Sequence, residues 1–215
     1  TITGSSGNGV LVSVDAGSAI TLVNSGTIQG DEAAIRVNGT STTALANSGV
    51  IISETEALRM GDGADTITNT GIIQGDVYLG NSTDSFDTRS GTFVGTVFGG
   101  DGSDSYYIGA QAIRITEYSD QGTDTVYTTA SHVLATNVER LILENAGGAI
   151  NGTGNAEDNL LTGNNSNNNL QGEDGNDVIY GNMGADTLAG GLGNDVLEGG
   201  ADGDVLLGGL GKDIL

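Results

Sequence analysis

GGLGNDVLEGGADGDVLLGGLGKDIL, residues 190–215, repeats itself every nine residues. A glycine pair opens each unit, an aspartate stands five places after the first glycine, and a leucine follows two places later. A fixed short period of this kind marks a solenoid, in which each repeat buries its apolar side only against its neighbours. Continued backwards, the same frame puts Gly at position one of seven units, at 154, 163, 172, 181, 190, 199 and 208. Position six is then Asn159, Asn168, Asp177, Asp186, Asp195, Asp204 and Asp213, and position eight is Leu or Ile throughout. Glycine at positions one, two and four suits a tightly curled backbone with φ > 0 and exposed carbonyls. The residue at position eight is expected to point inward from a short strand.

Taken together, the seven units resemble the RTX (repeats-in-toxin) family of calcium-binding nonapeptides, GGxGxDxUx. The resemblance covers about the last 60 residues and rests on five consecutive aspartate-bearing copies in register. It implies a β-roll holding several calcium ions. The ligands would be the carboxylates of Asp177, Asp186, Asp195, Asp204 and Asp213. The turn glycines Gly175, Gly184, Gly191, Gly193, Gly200, Gly209 and Gly211 would present backbone carbonyls. Calcium is a hard cation that takes six to eight oxygens, and such a loop offers only oxygens. In the family two nonapeptides complete one coil. Carried over, Asp177 faces Asp195, Asp186 faces Asp204, and Asp195 faces Asp213, so Asp195 serves two sites. Stacked carboxylates one strand spacing apart repel unless a cation lies between them, which ties folding to metal. Asn159 and Asn168 carry no charge, so their sites are expected to be weak or empty.

A longer period runs upstream. NSGTIQGD (24–31), NSGVIISE (47–54), NTGIIQGD (69–76) and RSGTFVGT (89–96) align, and they recur every 20 to 23 residues. Each reads as one coil of a parallel β-helix, with Asn24, Asn47 and Asn69 stacked as a ladder. Turns similar to the nonapeptides punctuate these coils and place Asp65, Asp84, Asp104 and Asp124 one per coil on one edge. Of these, the turn with Gly99, Gly100 and Gly102 before Asp104 matches best; Gly61 and Gly63 precede Asp65, and the turns at Asp84 and Asp124 are degenerate. The same calcium chemistry is expected there, against the simpler reading of Asx turns. RLILENA (140–146) reads as a buried strand followed by a turn.

The expected fold is therefore all-β: a parallel β-helix/β-roll solenoid, with N-terminal coils of about 20–23 residues passing into a nonapeptide β-roll. The expected divisions are 1–127, a connector at 128–153, and 154–215. No Pro- or Ser-rich linker separates them.

Composition narrows the function. Acidic residues outnumber basic ones 28 to 6, for a formal charge of −22. That excess argues against nucleic acid, whose phosphates need Lys and Arg. With no Cys, neither disulfides nor Cys-based zinc sites are available. No apolar run is long enough to span a membrane as a helix. The single His, His132, lacks an acidic partner at useful spacing, and there is no G-x-S-x-G or H-E-x-x-H, so an enzyme is not expected. The resemblance implies a secreted, extracellular or cell-surface protein of a Gram-negative bacterium, exported by type I secretion. The last residue falls on position eight of a repeat, which leads to the expectation of head-to-tail self-association into a filament, surface layer or biofilm-matrix fibre. The alternative is a calcium-folding module of a larger secreted enzyme, toxin or adhesin, serving export, stability or the binding of a surface polysaccharide.

Overall fold

The computed structural model describes residues 2–3, 9–13, 17–145 and 148–215. Among them there is no helix, and the recorded strand pairs are parallel. The chain divides into two units, Thr1–Gly122 and Thr123–Leu215.

In the first unit, one face is a nine-stranded parallel sheet that includes the long strands Val50–Arg59 and Ile72–Asn81. The facing strands run in the order Ile20–Asn24, Thr43–Asn47, Thr66–Asn69, Ser85–Asp87 and Ser105–Ile108. Thr43–Asn47 alternates strictly between buried and exposed, so a period-two pattern sends every second side chain inward. Because the strands are in register, like stacks on like. Leu45, Ile67, Phe86 and Tyr106 form one buried row, and Ile51, Ile73 and Phe93 form another. Phe86 meets Phe93 edge to face at 5.1 Å across the interior.

The expected asparagine ladder is present. Asn24 Nδ2 donates to Asn47 Oδ1 at 2.7 Å, and Asn47 Nδ2 donates to Asn69 Oδ1 at 2.8 Å, over coils of 23 and 22 residues. Asn69 in turn donates to the Thr88 hydroxyl at 3.1 Å. Thr88 thus takes the next rung, which the alignment of RSG with NSG conceals, because the turn after Thr88 is one residue longer.

In the second unit, Thr125–Thr128, Arg140–Leu143, Leu160–Thr162, Val178–Met183 and Val196–Ala201 line one side. The five strands His132–Val133, Gly152–Thr153, Asn169–Asp174, Thr187–Leu192 and Val205–Leu210 line the other. Residues 140–143 are a strand, as expected; Ala146 of that segment lies outside the described residues. From Asn169 onward the register offset is 18 residues, so two nonapeptides make one coil. Leu161, Leu170, Ile179, Leu188 and Leu197, all at position eight, are buried.

Candidate metal centre

Each strand of the second unit that follows a position-six residue is preceded by a tight turn, and the side chain at position six folds back beneath it. Asp177, Asp186 and Asp195 are at most 1% exposed, whereas Asp204 and Asp213 are half-buried. The expected partners are brought together through one carboxylate oxygen. The backbone N–H of Asp177 donates to Asp195 Oδ1 at 2.9 Å, that of Asp186 to Asp204 Oδ1 at 2.9 Å, and that of Asp195 to Asp213 Oδ1 at 3.1 Å. Each carboxylate therefore caps the turn one coil earlier, 18 residues back.

The second oxygen is different. Oδ2 of Asp177, Asp186 and Asp195 is buried and has no hydrogen-bond partner. An unsatisfied buried acceptor costs about 1–3 kcal/mol, and more when charged. Burial raises the Asp177 carboxyl, and the neighbouring Asp195, Asp158 and Asp174 charges raise it further, against the lowering hydrogen bond from Asn159; the result is about 7. Burial likewise raises Asp186, with Asp204 and Asp202 adding to it.

The position-one glycine makes room for that oxygen. A Cβ at Gly172, Gly181 or Gly190 would strike Oδ2 of Asp177, Asp186 or Asp195 in the same repeat. This corrects the reading of position one as a φ > 0 site, since none of these three glycines has positive φ. Positive φ belongs to positions two and four, at Gly175, Gly184, Gly191, Gly193, Gly200, Gly209 and Gly211, and there also at Glu173, Asn182 and Asp202.

The two asparagine positions supply a control. Asn159 Oδ1 accepts from the N–H of Asn155 at 2.7 Å, and its Nδ2 donates to Val138 O at 3.3 Å and Asn155 Oδ1 at 3.1 Å. Asn168 repeats this with Asn164 and Ile150. Where the residue is Asn, its Oδ1 takes the place beside the position-one glycine that Oδ2 takes where it is Asp, and there it accepts a backbone N–H; where it is Asp, that oxygen is left without a donor.

The first unit has the same construction. Thr43 N–H donates to Asp65 Oδ1 at 2.6 Å, Asp65 N–H to Asp84 Oδ1 at 2.6 Å, and Asp84 N–H to Asp104 Oδ1 at 2.7 Å. Oδ2 of Asp65 and of Asp84 is buried without a partner. Burial pushes Asp65 up to about 6, against the hydrogen bonds from the Thr43 backbone and side chain and from the Gly61 backbone. Asp84 rises to about 8 by burial, aided by the charges of Asp104 and Asp65 above and below it. Gly100 and Gly102 have positive φ, whereas Gly61 and Gly63 do not. Those two are small because a Cβ would run into the backbone of Gly39 and Ser41.

Two acidic residues escaped the sequence reading. Glu117 is buried, accepts from the Tyr106 hydroxyl, and lies with Asp104 around the Cα of Gly99. No repeat alignment reaches it. In the second unit, Glu139 accepts from the N–H of Asp124 at 2.8 Å over a coil of only 15 residues. Burial raises its carboxyl, as does the Glu157 charge. Glu139 stands directly before a strand, as Asp124 and Asp177 do, and that was the available signal; the short coil hid it.

The donor set is all oxygen, partly anionic, and short by one positive charge per rung, which suits a hard divalent cation. Fold and site together define a parallel β-solenoid whose turns are built around acidic, metal-seeking rungs. Residues 153–188 and 180–215 match the family model of the RTX calcium-binding nonapeptide repeat, so the last part of the chain carries RTX repeats. The repeats that it carries are calcium-binding repeats. Comparison with curated proteins and with solved structures gives no match.

Proposed function

We propose that the chain is a secreted structural protein, not an enzyme, whose turns close on calcium. The observation that carries this reading is the contrast between Asp and Asn on one ladder. Asn159 and Asn168 satisfy every turn with protein hydrogen bonds, whereas Asp177, Asp186 and Asp195 leave one buried oxygen each. The proposed ligands are Asp177, Asp186, Asp195, Asp204 and Asp213 with the carbonyls of their glycine turns, and Asp65, Asp84, Asp104 and Asp124 in the longer coils. Bound calcium supplies the charge that the rungs lack. The residues themselves hold the coils in register through Oδ1, and the position-one glycine leaves room for Oδ2.

The ladder works as a switch set by location. Where calcium is scarce the rungs repel one another, and the chain stays extended enough to export. Outside the cell, millimolar calcium meets sites with Kd of about 10⁻⁴ M. A tenfold excess over Kd stabilises the folded form by about 1.4 kcal/mol per site. Five such sites outweigh the repulsion. Far-UV circular dichroism with millimolar calcium and then EGTA tests the switch. The β signal is expected to fall sharply with EGTA, and an unchanged spectrum would sink the proposal.

Head-to-tail self-assembly is the finer part of the proposal. Negative-stain microscopy of purified protein should show filaments with calcium and none with chelator. Single particles under both conditions would favour a calcium-folding module instead.

A further inference from the structure

A groove of about 380 Å³ runs along the outside of the first unit. Its floor is a column of glycines, Gly39, Gly61, Gly80 and Gly100, one from each successive coil. A Cβ on any of the last three would strike the carbonyl of the glycine beneath, so the stacking itself keeps this floor bare. One wall is a row of π surfaces. The Arg59 guanidinium lies 4.5 Å over the Tyr78 ring, and Tyr78 stacks on Phe98 at 4.6 Å and 3°. Tyr118 closes that end of the groove with 60% of its surface exposed. The other wall is planar and polar: Asp62 and Asn81, joined at 2.8 Å, and Gln121, joined to Asp101 at 2.7 Å.

We propose that this groove binds a neutral, extended oligosaccharide. Three features favour that occupant. Side-chain amides and carboxylates present paired donors and acceptors that suit vicinal hydroxyls, while the exposed ring of Tyr118 suits the C–H side of a pyranose. The polar rungs recur with the coil, about 4.8 Å apart, close to the advance of one sugar along an extended glycan. Charge selects against an anionic chain. The one guanidinium in the groove is already paired with Glu56, Asp62 lines the opposite wall, and the protein carries −22 overall. Glycines in the groove's floor, Gly61 and Gly100 among them, belong to the calcium turns; Tyr118, Asp62, Asn81 and Gln121, the side chains that would meet the glycan, are not proposed ligands.

Affinity electrophoresis in millimolar calcium tests it. The gels contain hydroxyethyl cellulose, laminarin, xylan or galactomannan, with alginate and polygalacturonate as anionic comparators. At least one neutral glycan should retard the protein. Tyr118→Ala and Asn81→Ala should each weaken that retardation about tenfold, with unchanged circular dichroism. Tyr180→Ala, an exposed tyrosine of the second unit, should leave it unchanged. Retardation by the anionic polymers alone, by no polymer, or equally in Tyr118→Ala and the parent overturns the proposal. Loss of calcium-dependent folding would show in the circular dichroism of the parent protein, and so is distinguished from failure of this groove.

Discussion

At the scale of single residues, one atom separates the two kinds of rung. Asp195 and Asn159 share a ladder, and each puts one oxygen beside the position-one glycine of its own repeat. In Asn159 that oxygen accepts from the N–H of Asn155 and the amide N–H reaches the previous coil; in Asp195 it is orphaned, and Oδ1 reaches the previous coil. Asp195→Asn should therefore make the calcium-free protein more stable, by about 1–3 kcal/mol. It should also remove much of the stabilisation by calcium, since Asp195 takes part in two proposed sites. Thermal unfolding followed by circular dichroism, with and without calcium, reads both effects. If the substitution lowered the calcium-free midpoint, the orphaned oxygen would not be what destabilises the turn.

At the scale of the element, the asparagine ladder does in the first unit what metal is proposed to do at the aspartate turns. Asn47 is 1% exposed, and its amide group bonds to Asn69 Oδ1, Ile72 O and, through Oδ1, to Asn24 and the N–H of Gly49. Asn47→Leu would fit the space but leave these groups unpaired. A cost of roughly 3 kcal/mol is expected, with no change in calcium response. Urea unfolding at saturating calcium measures it; a loss under about 0.5 kcal/mol would mean that the ladder is ornamental.

For the molecule as a whole, the interior is thin. An 18-residue coil buries two position-eight side chains, worth roughly 5 kcal/mol together. Fixing that much backbone costs on the order of 20 kcal/mol, and backbone hydrogen bonds at about 1 kcal/mol each return a similar sum. A coil so near balance is decided by its carboxylates. Their pKa values are raised in the fold from 3.8, to about 6 for Asp65, about 7 for Asp177 and about 8 for Asp84. A raised carboxyl favours the folded state fully below its unfolded value and loses that contribution as pH climbs through the folded value. Without calcium, stability should thus decline from about pH 4 to about pH 8. With calcium, protons compete for the same oxygens, so the benefit of the metal should shrink on acidification. Melting temperatures at pH 5 and pH 8 in calcium-free and calcium-containing buffer check this; a calcium effect of equal size at both would refute it.

The sequence by itself determined the periods, the parallel solenoid, the asparagine ladder and the aspartates of the turns, because in a solenoid each contact is with the equivalent residue one coil away. Repetition in the chain is then repetition in space. What only the tertiary structure decided lies where a coil changes length or where two parts of a coil meet across its interior. Thr88 as the next rung, Glu139 across a 15-residue coil, and Glu117 beside Asp104 all depend on such irregular steps. The role of the position-one glycine is of the same kind: its space is taken by a carboxylate that folds back from five residues on, and a period in the sequence carries no record of that contact.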